Sequence, residues 1–178
     1  MTQGCFSRAS SQALTQDQLL EAVSTAYRLQ KRGVSVDGRR LDFGAYPHLP
    51  ELLDTRARRW TIQKGAQQGF TTTCIYRAIE DQIVLPLRGT LYLFPTDDEV
   101  RDFSRARFGP ILDQPCYAHL KSNLDTTELK KIGDGYLYFR GAGQRGAGER
   151  NRSMSKVKSM PIDKLYMDEY DEMDPARV

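Results

Sequence analysis

The chain has no run of about 18 apolar residues, so no segment reads as a membrane-spanning helix. Its opening residues, MTQGCFSRASSQ, are polar and lack the apolar stretch of a secretory signal, so the expected location is the cytoplasm. Histidine is scarce, with only His48 and His119, and cysteine is limited to Cys5, Cys74 and Cys116. An odd number of widely spaced cysteines without a C-x-x-C pair argues against a disulfide framework or a zinc site, and for free thiols that serve packing. Cys116 and His119 form an isolated pair with no orienting acid, a poor basis for nucleophilic chemistry. There is no internal repeat and no low-complexity segment.

The chain has 178 residues, enough for one α/β domain with a sizeable core and too few for two. A charged fraction of 28% and a mean hydropathy of -0.58 suit a soluble globular protein. The net charge of +3 hides an asymmetry: residues 163–178 hold six acids and two bases, which leaves residues 1–162 at a net +7. Bases gather in RARRW, Arg56 to Trp60, and between Arg140 and Lys158. A basic body suits a polyanionic partner, DNA or RNA, and equally a solvated surface.

Thr15 is a good N-cap for QDQLLEAVSTAYRLQKRG, where Leu19, Leu20, Val23 and Tyr27 recur at helical spacing, so the pattern predicts one amphipathic helix closed by Gly33. The stretch SVDGRRLDFGAYPHLP reads as a linker broken by glycine and proline, with a short helix over Glu51 to Arg58. RWTIQ, Arg59 to Gln63, reads as a strand leading into a glycine loop, and FTTTCIYRAIEDQIVLPLRG after Gly69 reads as helical, with Cys74, Ile75, Ala78, Ile79 and Ile83 at helical spacing. TLYLFP is a second strand. TDDEVRDFSRARFGPILD is a helix capped by Thr96, with acids first and bases last, the order a helix dipole favours. ELKKIGDGYLYFRG predicts a hairpin around Gly133-Asp134-Gly135, and DKLYMDEYDEMDP a strand ending in acids. This alternation predicts an α/β fold with a mostly parallel sheet, helices on both faces, and ligands at the carboxyl ends of the strands.

Two motifs fall at such ends. KGAQQGFTT, Lys64 to Thr72, resembles a phosphate-binding loop whose lysine opens the motif instead of following its second glycine, with Phe70 in the vacated position. Gly65 and Gly69 permit close backbone approach, and the N–H groups of about Gln68 to Thr72 would face an anion at a helix N-terminus. Taken alone, the loop also reads as an ordinary glycine turn. In LYMDEYDEM, Asp168 and Glu169 end an apolar run; alternation points neighbouring side chains apart, so one can hold a metal while the other polarises water. Alone, that pair also reads as an acidic cap or a solvated turn. In this order, with βα units between, the two motifs favour nucleotide binding.

Together these residues resemble the ATPase region of the large terminase subunit of tailed phages, the lambda-type branch in particular. That family carries a loop of the form K-x-A-x-x-G-[Y/F/G]-[S/T], which Lys64, Ala66, Gly69, Phe70 and Thr71 match in order. AYPHLPELLD before the loop, LFPTDDEVRDFSRARFGPIL from Leu93, and KSMPIDKLYMDEYDEM extend the likeness over about Leu41 to Asp174. The resemblance implies a P-loop NTPase fold that binds ATP with Mg²⁺ through Lys64, Gly65, Ala66, Gln67, Gln68, Gly69, Phe70, Thr71 and Thr72. Lys64 would contact the β- and γ-phosphates, Thr71 and Asp168 would hold Mg²⁺, and Glu169 would activate water. Tyr46 would lie near the adenine, while Arg145, Arg150 and Arg152 would serve as an arginine finger or as DNA contacts.

The expected division is a lead and amphipathic helix over 1–40 and an incomplete ATPase domain over 41–178. The sheet would be truncated after the acidic strand, with no nuclease domain. The implied activity is ATP-driven translocation of double-stranded DNA into a procapsid, in the host cytoplasm, by a homo-oligomer that meets a small terminase subunit and a portal. The competing expectations are a nucleic-acid-binding or assembly module with a degenerate loop, or another P-loop motor such as a helicase.

Overall fold

A computed structural model of the chain describes residues 13–65, 67–142 and 160–173. Two short helices open it, α1 (Gln16–Val23) and α2 (Thr25–Arg32), where the periodicity predicted one. The break at Ser24 comes from elsewhere in the chain. Asp54 Oδ1 accepts from the N–H groups of Thr25 and Ala26 at 2.6 and 3.1 Å, its Oδ2 accepts from the Ser24 hydroxyl at 2.6 Å, and Ser24 Oγ accepts from the Tyr27 N–H. Capping α2 afresh satisfies donors that a continuous helix would bond internally.

The stretch expected to be a linker holds a small hairpin, β1 (Ser35–Val36) and β2 (Arg39–Arg40), closed by Asp37 and Gly38 at φ 50° and 76°. Two positive φ values in a two-residue loop suit Asp-Gly. The short helix α3 spans Leu49–Asp54, displaced from the expected Glu51 to Arg58, with Pro50 in its first turn where its missing N–H costs nothing. Helix α4 (Phe70–Val84) follows Gly69 as predicted. The expected strand at Arg59 to Gln63 is not among the strands of the described residues. Trp60 is instead held by Arg77, whose guanidinium carbon lies 5.7 Å from the ring centroid.

Strand β3 (Gly89–Phe94) is buried along its whole length. Thr96 then caps α5 (Asp97–Asp102) in a reciprocal box with Glu99. The helix continues through a π-helical turn, Phe103–Phe108, into α6 (Gly109–Leu112). Pro110 has no N–H and its ring crowds the preceding turn of an ordinary helix, so a widened turn is the expected adjustment. Three antiparallel-linked strands follow: β4 (Lys121–Asp125), β5 (Leu129–Ile132) and β6 (Gly135–Gly141). Gly133, at φ 57°, makes the tight β5–β6 turn. The acid-bearing strand is β7 (Lys164–Met167).

The sheet order is β4-β5-β6-β3-β7, with β3 parallel to both β6 and β7. It is therefore mixed, not mostly parallel. Short turns between β4, β5 and β6 enforce antiparallel pairing, whereas a parallel pair needs a long crossover. Helices do not flank both faces among the described residues. Those that enter the core join one cluster with Tyr92, Phe94, Leu137, Phe139 and Tyr166, while the opposite face carries Leu91, Leu93, Ala142 and Met173. Glu80 on α4, fully buried, accepts from Arg28 Nε and the Tyr117 hydroxyl at 2.8 Å each and locks α2 onto α4.

Candidate functional site

Because β3, β6 and β7 run parallel, their carboxyl ends share one edge. Asp168 N–H donates to Leu93 O at 3.1 Å and Ala142 N–H to Phe94 O at 2.7 Å, so the chain leaves β7 and β6 beside the cap of α5. The N-terminus of α4 meets the same edge. Gly69, at φ 76°, is its N-cap and offers no side chain to bond the first N–H groups; Gln67, at φ 60°, also lies in the left-handed region. Both conformations let the chain turn tightly into the start of α4.

Lys64, Thr71 and Asp168 converge there. Lys64 Nζ donates to Thr71 Oγ1 at 3.1 Å and forms an ion pair with Asp168 Oδ1, and Thr71 Oγ1 donates to Asp168 Oδ2 at 3.1 Å. Asp168 is half-buried, with 17% of its side chain exposed, and Lys64 retains 31%. Glu169 adopts φ 56°, ψ 44°, and its carboxylate lies with those of Glu99 and Glu172, one oxygen from each within 4.8 Å of the others. Adjacent carboxylates thus point to different company: Asp168 to the cation, Glu169 to other acids. Partial burial, reinforced by the charge of Asp168, raises the Glu169 pKa above its ordinary 4.5.

The supporting contacts fix α4 against β7. Lys164, at the start of β7, forms an ion pair with Asp81 of α4; burial lowers the Lys164 pKa, and Asp81 acts against that shift. Arg77 donates to Leu52 O and Thr55 O at 2.6 Å each, which ties α4 to α3. One network therefore sets the register between Thr71 and Asp168 from the other end of both elements. Cys74, beside this strand, has its thiol pushed up to about 12 by burial and by the charge of Asp168, which leaves it an inert packing group.

Gly65, Gln67 and Gln68 are exposed on the loop, Thr72 is half-buried, and Phe70 packs against the core with its ring 5.1 Å from His48. Tyr46 is 39% exposed and stands edge-on to His48, the ring centroids 6.3 Å apart. Ala66, Arg145, Arg150 and Arg152 lie outside the described residues. Sequence reasoning missed His48, whose Nε2 lies 3.4 Å from Gln68 O, and Glu99, which stood out only as one of the acids in the first turn of a helix.

A cation, a hydroxyl and a carboxylate gathered beside a helix N-terminus, at the carboxyl ends of parallel strands, define an α/β protein equipped to hold an anion together with a hard metal ion. Residues 44–177 match the family model described as phage terminase large subunit gpA, ATPase domain. The chain belongs to that family, and membership points to ATP hydrolysis in the setting of phage DNA packaging. No curated protein and no solved structure matches the chain. Among the described residues, no helix is long and apolar enough to cross a membrane.

Proposed function

We propose that this chain is the ATP-hydrolysing motor domain of a packaging enzyme, built on a P-loop scheme and driving double-stranded DNA into a procapsid. The observation that carries the reading is the convergence of Lys64 and Thr71 with Asp168, which lies 104 and 97 positions further along the chain. A structural ion pair alone would not require a hydroxyl and a glycine-capped helix N-terminus at the same point.

Thr71 and Asp168 supply only oxygen donors, the set Mg²⁺ prefers, and they are the residues we assign to it. Bound with the nucleotide, Mg²⁺ would neutralise developing charge on the phosphates. Lys64 exchanges its partner Asp168 for the β- and γ-phosphates, while backbone N–H groups from Gly65 to Thr72 surround them. Glu169, turned away from the cation, takes the proton of the attacking water; its raised pKa makes it a stronger base once ionised. Tyr46 lies toward the adenine. Arg145, Arg150 and Arg152 supply a charge-stabilising cation or a DNA contact.

In this reading residues 41–178 form the ATPase unit and residues 1–40 lead into it. The intact enzyme works as a homo-oligomer in the host cytoplasm with a small terminase subunit and a portal. Lys64→Ala should abolish nucleotide binding, whereas Glu169→Gln should preserve binding and abolish turnover. Duplex movement without strand separation would separate a packaging motor from a helicase, and binding of DNA indifferent to Mg·ATP would instead favour a module with a degenerate loop.

A further inference from the structure

Next to the loop, α3 and the extended stretch after it enclose a groove of about 210 Å³ lined by His48, Glu51, Leu52, Thr55, Trp60 and Ile62. Drug-sized ligands occupy roughly 300–1,000 Å³, so a groove of this size suits a single flat ring system. It already holds the groups such a ring needs. Trp60, the only tryptophan in the chain, is braced by the guanidinium of Arg77, which is itself buried and pinned by the carbonyls of Leu52 and Thr55. An aromatic surface fixed before the ligand arrives loses little entropy on binding. His48 joins groove to loop, since it lines the one and touches the other through Phe70 and Gln68 O.

From this continuity we infer that the groove holds the base of the nucleotide, stacked on Trp60 beside His48, with Glu51 reading its exocyclic amine. The inference rests on the nucleotide reading of the loop. A carboxylate accepts hydrogen bonds and donates none at neutral pH, so Glu51 favours the amino group of adenine and repels the carbonyl oxygen at the same position of guanine. Tyr46, edge-on to His48 and outside the groove lining, then stands at the border of the base rather than under it.

The sole tryptophan makes its own reporter. Trp60 emission is followed while the full chain is titrated with Mg·ATP, Mg·GTP or Mg·tripolyphosphate, and binding of each is measured in parallel by calorimetry. ATP should change the emission and saturate at the calorimetric affinity, whereas tripolyphosphate should bind and leave it unchanged. Trp60→Ala should weaken ATP about tenfold or more without altering tripolyphosphate, because a stacking contact is lost and the loop is not. Glu51→Gln, an exposed change that leaves packing alone, should narrow the preference for ATP over GTP. ATP binding with unchanged emission, or an unchanged ATP/GTP ratio in Glu51→Gln, would overturn the base site and spare the loop. Failure of both ATP and tripolyphosphate to bind the parent chain would overturn the loop reading and the base site with it.

Discussion

Replacing Glu80 by alanine should cost the fold a large share of its stability. The carboxylate is fully buried; its Oε2 lies 2.8 Å from Arg28 Nε, and its Oε1 accepts from the Tyr117 hydroxyl at 2.8 Å. Arg32 Nε approaches Oε1 at 2.9 Å, off the hydrogen-bonding direction, and contributes as an ion pair. The Arg28 side chain is only 6% exposed, so deleting its partner strands a buried guanidinium. Breaking a buried pair from one side costs about 3–5 kcal/mol, against a total stability of about 5–15 kcal/mol for a domain. At about 2–4 °C per kcal/mol for a chain of this length, the midpoint should fall by about 6–20 °C. Urea unfolding with an unchanged m-value gives the free energy directly. Glu80→Gln, which keeps an acceptor but loses the charge, should fall between parent and alanine. A Glu80→Ala loss below about 1 kcal/mol would refute the assignment of this network as the clasp between α2 and α4.

Asp54→Ala removes the carboxylate that caps α2 and should cost about 1–2 kcal/mol, with faster amide exchange at Thr25 and Ala26; unchanged exchange would contradict the capping role. In Gly141→Ala a Cβ would lie 2.7 Å from the backbone N of Asp97 and the backbone carbon of Thr96, so about 1–3 kcal/mol should be lost in a thermal melt, and a parental melting temperature would show that the edge of β6 yields. Glu169 retains its proton to higher pH than an ordinary glutamate, and the general base must be ionised. The acid limb of kcat/KM should therefore lie above pH 4.5, with activity rising as pH passes the raised pKa; a limb at or below 4.5 would count against Glu169 as the base.

What the sequence made legible was local. The helix after Gly69, the strand β3, the Thr96 cap and the Gly133-Asp134 turn each carry their signal within a few residues. What it hid depended on distant partners. The break at Ser24 is made by Asp54, 30 positions away, and Leu19 to Tyr27 keep their helical spacing across it. Strand β4 is an exposed edge, KSNLD, without apolar alternation, so nothing announced it or its antiparallel pairing with β5. The small hairpin was marked by Asp37-Gly38, a two-residue turn signal that the surrounding glycines and prolines obscured. At the site, residue type and order pointed to Lys64, Thr71 and Asp168, which the fold brings together. His48 and Trp60 gave no sign, because their groove forms only when α3 lies beside the stretch entering the loop.

The central claim is that the lysine opening the loop holds the nucleotide. Mg·ATP affinity, measured by calorimetry and by thermal shift for the parent chain and for Lys64→Ala, tests it most directly. At a ligand concentration 100 times Kd the parent should gain about 2.7 kcal/mol of stability. The variant, keeping Thr71 and Asp168 but lacking the cation, should show no saturable heat and no shift in melting temperature. Equal affinity in the two proteins would contradict the account, because Lys64 would then be only the structural partner of Asp168.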